Sequence, residues 1–527
     1  MKHRLVFLRL PIIWRVLAAI SGGVLSSLAM PREGIWPLIF GSVILLILSV
    51  HNLKFLPASA IGFLGGLAYY LSQIEWLSLY LGPIPWLALS VLEAAIFAVG
   101  MAFLALVWRM LEASLKNRSL KPAAIAVALA LIWTAREWVA ISLPYGGFPW
   151  SRLAQTQADS VLSKWVYLGG LGWLTFVIAL VSAAIAIFVA TKFQGSSEKN
   201  NWITPLMASV LVFAIPAAIT LPKEPENGTL VVGSVQGNAN AGLFSNTERG
   251  TILENHLEAT ELLKTDPQAP ELDVVVWPEN ASDLSPFSDV SASQKIGRLV
   301  EEDLQVPLIF GAITARGDNL YNSSILWEPG VGPTDFYDKQ RPVPFAEYVP
   351  DRDFWYQLAP DLIGLISRGY AFGERDGIYE LAKGKVGTLI CFEIAVDDIG
   401  RNLANQGARV IFSQSNNADF GRSDETFQQA ALAKLRAIET GRAVVNVSTV
   451  GVSAVYGPDG TTLDQLETFT AGAMVTEVPL RTSMTPGVLM GGIVDLLVNA
   501  AAAILAAIAV AYAYRRRLGN QNQKEQA

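Results

Sequence analysis

Cys391, in the stretch GKVGTLICFEIAV (384–396), is the only cysteine among 527 residues. It cannot form a disulfide within its own chain, so it is either an apolar filler, as buried free cysteines commonly are, or a nucleophile. A free thiol titrates near ~8.5 and only the thiolate reacts, so a nucleophile would need an activating group. Of three histidines, His3 and His51 fall on the cytoplasmic side of the membrane topology read below, and His256 sits in an amphipathic helical pattern far from any motif. That disfavours a Cys/His dyad. One cysteine with one local histidine also falls short of the four ligands of a zinc site, so no Cys/His metal site is expected. Serine hydrolase chemistry lacks its usual G-x-S-x-G elbow. Carboxylates remain. VVVWPEN (274–280) puts Glu279 just beyond an apolar run ended by Pro278, and YDKQRPVPFAEYVP (337–350) gathers Lys339 and Glu347 in a proline-rich segment. Taken singly, Glu279 reads as a solvated loop acid and Lys339 as an exposed lysine on a rigid loop.

The elements that would hold these groups are short apolar runs at 229–236, 273–279, 307–313, 322–328, 386–393, 408–415 and 443–449. Several are continuous in Val, Ile and Leu rather than alternating, which suits strands covered on both faces. Helical patterns intervene at about 246–265 and 424–441, the second with apolar residues three and four apart. Strands alternating with helices predict an α/β layered domain. Cys391 falls at a strand end, where side chains emerge into loops that line clefts.

That region is embedded in a chain that is 52% hydrophobic and 16% charged, too apolar for an ordinary soluble protein. Crossing about 30 Å of hydrocarbon takes roughly 20 apolar residues. Runs of that kind lie near 13–30, 35–50, 55–77, 86–108, 122–143, 166–191, 203–221 and 488–514, about eight spans in all. Lys2, His3 and Arg4, Lys54, the group Arg109, Lys116, Arg118 and Lys121, the pair Lys192 and Lys199, and Arg515 to Arg517 then fall on one side. By the positive-inside rule both termini are cytoplasmic. Three segments follow: a bundle of seven spans at 1–221, an extracytoplasmic α/β domain at 222–485, and an eighth span with a cytoplasmic tail at 486–527. The first run lacks a small-residue cleavage site and reads as an uncleaved anchor. A net charge of −7 with no long basic run argues against nucleic acid as a partner.

In this order, WPE at Glu279, DKQRPVPFAE at Lys339 and LICFE at Cys391, 60 and 52 residues apart, resemble the signature segments of the nitrilase superfamily. That resemblance implies a Glu, Lys and Cys triad on an αββα sandwich. The membrane segments narrow it: the chain resembles the apolipoprotein N-acyltransferase family, in which a nitrilase-like domain is inserted between the last two of eight spans. AREWVAISLPYGGFPWSRLAQTQ (135–157), VQGN (235–238) and VPFAEYVP (343–350) follow that family's pattern, and the likeness covers roughly residues 10–515.

The resemblance implies a ping-pong acyl transfer in the bacterial cytoplasmic membrane. A phospholipid donates the acyl chain through a Cys391 thioester, and the acceptor is the α-amine of a diacylglyceryl cysteine on an apolipoprotein. Glu279 is then the general base, Lys339 the cation that stabilises the oxyanion with backbone N–H groups around Phe392, and Glu347 and Glu393 supporting acids. Phe148 and Trp150 of GGFPW contact lipid or anchor at the interface, and no cofactor is required. The sequence departs from the family at Asp419, where a tryptophan is common, at TFQQ (426–429), where a Gln-His pair is usual, and after VQGN, where Leu243 and Phe244 stand near the place of a Lys-Trp pair. These departures bear on donor and acceptor preference. Two other readings stay open: a membrane-tethered amidase with the same triad, and a transporter or sensor with a structural Cys391. Intramembrane charges normally mark transport paths; here they are few, namely Glu93, Arg136, Glu137 and Asp495.

Overall fold

Successive residues of the valine runs face opposite ways, and both ways are buried. Val232, Val274, Val276 and Ile309 join one apolar core, while their neighbours Val231, Val275, Leu308 and Phe310 join another. This is why the runs show no polar alternation, and each fully buried aliphatic side chain contributes about 1.5–3 kcal/mol. The computed structural model describes residues 11–117, 120–193, 203–242, 248–366 and 368–525. Leu243, Phe244, Lys2, His3, Arg4, Arg118 and Lys199 lie outside the described residues.

The chain forms two compact units, one of Leu221–Leu489 with Leu79–Leu81 and one of the remaining segments. The first holds two six-stranded sheets. One runs in the order β12-β1-β2-β3-β4-β5, with β1 Thr229–Gln236, β2 Val274–Val276, β3 Leu308–Arg316, β4 Asn319–Glu328, β5 Gly332–Asp338 and β12 Gly472–Pro479. The other is β11-β10-β9-β8-β7-β6, with β6 Ile378–Leu381, β7 Gly384–Ile390, β8 Val410–Ser415, β9 Ala443–Ser448, β10 Ala454–Tyr456 and β11 Thr462–Gln465. Residues of both sheets share the central core, and the Tyr379 hydroxyl on β6 donates to the Ser324 carbonyl on β4 at 2.8 Å. Helices Thr251–Thr260 and Val290–Arg298 supply buried residues to the outer core of the first sheet, and Asp397–Asn405 and Glu425–Thr440 pack on the second. The result is a nitrilase-like sandwich of four layers, αββα.

The central strands of each sheet are parallel: β1 to β2 to β3, and β7 to β8 to β9. Their carboxyl ends are where open α/β sheets build sites. The predicted strand at 273–279 is shorter than read, because after Val276 the chain leaves the ladder at Pro278. Of the helical pattern expected at 246–265, Thr251–Thr260 is an α-helix and Glu261–Thr265 a 3-10 turn, while residues 246 and 247 lie outside the described residues. Strands β5, β6, β10, β11 and β12 have no counterpart among the expected runs. β5 and β11 are sheet-edge strands with exposed polar residues, so their sequences carry no buried run to read.

Among the described residues, five helices are long and apolar enough to cross a membrane: Phe55–Gln73, Pro83–Ser114, Lys121–Ala140, Val161–Lys192 and Pro486–Gly519. Ile12–Ser27, Leu38–Val50 and Met207–Ala218 are shorter apolar helices at the remaining expected positions. The Glu137 carboxylate accepts from Thr175 Oγ1 at 2.6 Å and from the Leu153 N–H at 3.1 Å, with Arg152 Nε at 3.7 Å. Arg136 lies over the Phe97 and Trp133 rings, 4.4 and 4.8 Å from their centroids. These buried charges tie helices and the segment after GGFPW together.

Candidate active site

β7 ends at Ile390, and Cys391 turns sharply out of it with φ 53° to open a short helical turn, Cys391–Ala395. A non-glycine residue in that region costs about 1 kcal/mol or more and persists only where its surroundings hold it. Glu393 does the holding. Its carboxylate, fully buried, accepts from the Ile390 N–H at 2.8 Å, from Gln340 N–H at 2.7 Å and Arg341 N–H at 3.1 Å, and from the Tyr337 hydroxyl at 2.8 and 2.9 Å. One carboxylate thus fastens the residue before Cys391 to the two residues after Lys339.

Lys339 follows β5, its N–H bonded to the Asn322 carbonyl of β4 at 2.9 Å. It is 1% exposed. Its ammonium lies 3.3 Å from Glu279 Oε1 and 2.9 Å from Glu347 Oε2. Asn322 Nδ2 donates to Glu279 Oε1 at 2.7 Å and Glu347 Oε1 at 2.8 Å, and the Val343 N–H donates to Glu347 Oε2 at 2.7 Å. A buried lysine is lost as a charge unless paired. Burial alone would push it down, but Glu279, Glu347 and the Cys391 position hold it well above its usual range, a fixed ammonium. Burial pushes the Glu279 carboxyl up, and the Lys339 charge opposes that without cancelling it. Burial and then the Glu279 charge push the Cys391 thiol well above its usual range against the pull of Lys339. The resting site is therefore a neutral, partly exposed thiol facing a carboxylate of raised basicity and a cation. Such a site can pass the thiol proton to Glu279 as sulfur attacks a carbonyl, with Lys339 facing the developing oxyanion.

Of the residues expected from the sequence, Glu279, Lys339, Glu347, Cys391 and Glu393 are thus joined by bonds and charge. Phe392 is half-buried beside the nucleophile. Asp419 belongs to the same compact unit, and its charge acts on Tyr80 and Tyr370, whose hydroxyls are pushed up chiefly by burial. Phe148 and Trp150 belong to the helical unit; Trp150 is 4% exposed and packs edge-on to Trp76. His256 is not remote from the motifs as expected: its ring centroid lies 5.7 Å from that of Trp277, and it is wholly buried. Burial lowers it to about 4, so it is a neutral packing residue. Sequence reasoning missed Asn322, Tyr337, Tyr370 and Tyr80, and it noted Gln429 only as part of TFQQ, without its contact: Gln429 Nε2 donates to Cys391 Sγ at 3.5 Å. Asn322 carried the one available signal, an amide opening the run NSSILWE, whose next residues are small or apolar.

Residues 22–184 match the apolipoprotein N-acyltransferase N-terminal domain and residues 231–484 the carbon-nitrogen hydrolase family. An apolipoprotein N-acyltransferase of Mycolicibacterium smegmatis is 31% identical over 520 residues, covering 93% of this chain and 84% of the relative. One from Vibrio cholerae is 26% identical, covering 93% and 95%. Among solved structures, a nitrilase-superfamily amidase from Nesterenkonia aligns with 49% of this chain at 16% identity and a TM-score of 0.37. Since the similarity to the mycobacterial relative runs through both the helical segments and the αββα domain, the chain belongs to the apolipoprotein N-acyltransferase family.

Proposed function

We propose that this chain moves a fatty acyl group from a phospholipid, through a Cys391 thioester, to the α-amine of the N-terminal diacylglyceryl cysteine of bacterial apolipoproteins. The observation that carries the reading is the buried Glu279–Lys339–Glu347 cluster whose charges act on a partly exposed thiol at a strained strand end. In the first half reaction Glu279 takes the thiol proton while sulfur attacks the ester carbonyl. Lys339 and the backbone N–H groups at the start of the Cys391–Ala395 turn face the oxyanion. The C–O bond breaks, Glu279 returns its proton to the departing glycerol oxygen, and a lysophospholipid leaves. In the second, the neutral amine attacks the thioester carbon and gives a proton to Glu279. The C–S bond breaks and the proton passes to sulfur, restoring the thiol. An amide is a poorer acyl donor than either a thioester or an ester, so the reaction runs forward without ATP or cofactor.

Both substrates sit in a lipid leaflet, which accounts for a catalytic domain carried on apolar helices. Charge placement supports about eight spans with both termini cytoplasmic and residues 222–485 outside. Phe148, half-buried, serves the lipid-facing side of this arrangement, while Trp150, packed on Trp76, holds that segment in place, and Asp419, whose charge acts on Tyr370 and Tyr80, bears on the choice of substrate. The alternative is an amidase delivering the acyl group to water.

Purified protein incubated with phospholipid should gain one fatty acyl mass on the Cys391 peptide, sensitive to hydroxylamine. Cys391→Ala should abolish it, and a diacylglyceryl-cysteinyl peptide should discharge it as an amide. Absence of any such adduct with bacterial phospholipids defeats the reading, and discharge to water alone selects the amidase.

A further inference from the structure

The Glu425–Thr440 helix brings a second set of buried polar groups to Cys391. Glu425 and Gln429 are one helical turn apart, so both project from one face, and they are 2% and 1% exposed. Asn417, 2% exposed and just beyond β8, lies between them: its Nδ2 donates to Glu425 Oε2 at 2.7 Å and to Gln429 Oε1 at 2.6 Å. Its Oδ1 accepts from the Ser448 hydroxyl of β9. Both amide hydrogens of Asn417 are therefore used. The carbonyl of Gln429 is committed to Asn417, and its NH2 must face away from Asn417, where Cys391 Sγ is 3.5 Å off. An apolar core of the same shape would avoid desolvating four polar groups. Packing alone gives no reason for this set to end on the sulfur.

We infer that Gln429 is a further catalytic residue, an N–H donor that stabilises the Cys391 sulfur as thiolate when it attacks the donor and again when the amine displaces it, with Asn417 and Glu425 as positioning residues that fix its amide. The inference rests on Cys391 being the nucleophile of the reaction proposed above. Burial and the thiol's carboxylate neighbours disfavour the thiolate, and the amide donor works against them without adding charge. The charged or titratable groups facing Glu425 are Glu279 and the Cys391 thiol. Its neutral form is the productive one, since its negative charge raises the thiol further. Burial pushes Glu425 up to about 8.

Because Cys391 is the only cysteine, its alkylation by iodoacetamide in the full-length detergent-purified protein reads this thiol alone. The measurement is the alkylation rate against pH for wild type, Gln429→Met, Gln429→His and Glu425→Gln. Gln429→Met keeps the volume without the donor, and its alkylation should fall about tenfold at a given pH below the midpoint. Gln429→His restores a ring N–H and should recover most of that loss. Glu425→Gln still accepts from Asn417 but cannot ionise, so its alkylation rate relative to wild type should rise as the pH passes about 8. A role in packing alone would move all three variants together. A wild-type profile in Gln429→Met, or slower alkylation in Glu425→Gln at alkaline pH, overturns the inference. Acyl transfer does not enter this measurement, so wild type that alkylates as expected but forms no thioester condemns the acyltransferase reading and not this one.

Discussion

Gly311 leaves no room for a side chain against Glu279: a Cβ placed on it would lie 2.6 Å from Glu279 Cα and 2.7 Å from the Pro278 carbonyl oxygen. The Gly311 N–H donates to that carbonyl at 3.1 Å, and the Ser282 N–H donates to the Gly311 carbonyl at 3.1 Å. The segment that carries Glu279, the base proposed above, therefore crosses β3 at van der Waals distance. Gly311→Ala should push Glu279 outward by a fraction of an ångström or more. A displacement near 1 Å costs about 100-fold in rate. Single-turnover thioester formation on Cys391 measures it, and a rate within about twofold of wild type would show that the close approach is dispensable.

Asn322 is the shared donor between two carboxylates that already share one ammonium. Asn322→Leu strips a hydrogen bond from each, and each buried acceptor left short costs about 1–3 kcal/mol. Asn322→Asp should be worse at neutral pH, since a third carboxylate would face the single Lys339 charge, and it should recover as the solution is acidified and that carboxyl protonates. Chemical unfolding in detergent at two pH values checks both. Equal stability of the Leu and Asp variants at neutral pH would contradict the electrostatic account.

The contrast between Cys391 and Asn322 shows what the sequence made legible. Glu279, Lys339 and Cys391, the triad proposed above, stand out in the sequence because they sit at strand ends beside Pro278 and the proline-rich segment and because their order resembles a known signature. The sandwich could be read from Val and Ile runs that physically require two covered faces. Asn322, Tyr337 and Gln429 could not, because a polar residue inside a buried strand or helix is defined by partners more than 10 residues away, as Tyr337 is by Glu393 and Gln429 by Cys391. Edge strands such as β5 and β11 escaped for the complementary reason: half their surface is solvated, so local pattern carries little of what fixes them.

Glu393 gives a prediction that separates positioning from chemistry. Its Oε1 accepts from Tyr337, Gln340 and Arg341 and its Oε2 from Tyr337 and Ile390, so neither oxygen can become an NH2 group without meeting a donor head-on. Glu393→Gln should destabilise by about 2–4 kcal/mol and slow thioester formation by loosening Ile390 and the backbone after Lys339 together. Tyr337→Phe removes one donor of several and should cost only about 1 kcal/mol. Unfolding midpoints and thioester rates of both variants test this; a Tyr337→Phe variant as damaged as Glu393→Gln would place the hydroxyl, not the carboxylate, at the centre of the clamp.

Glu425 makes stability depend on pH with a defined sign. Burial raises its folded value to about 8, whereas an unfolded glutamate titrates near ~4.3. Between those values the folded chain holds a proton that the unfolded chain has released. Stability from this group is therefore full below the unfolded value, falls as pH rises, and levels off above the folded value. The loss is a few kcal/mol at most, about 1.4 per unit of pH across that window. Glu425→Gln keeps the acceptor for Asn417 and removes the titration. Its thermal midpoint should match wild type near pH ~5 and exceed it near pH ~9, with the gap opening in between. A gap that stays constant from acid to alkali would mean that Glu425 is already ionised in the folded protein at low pH, and the neutral carboxyl argued for beside Cys391 would have to be abandoned.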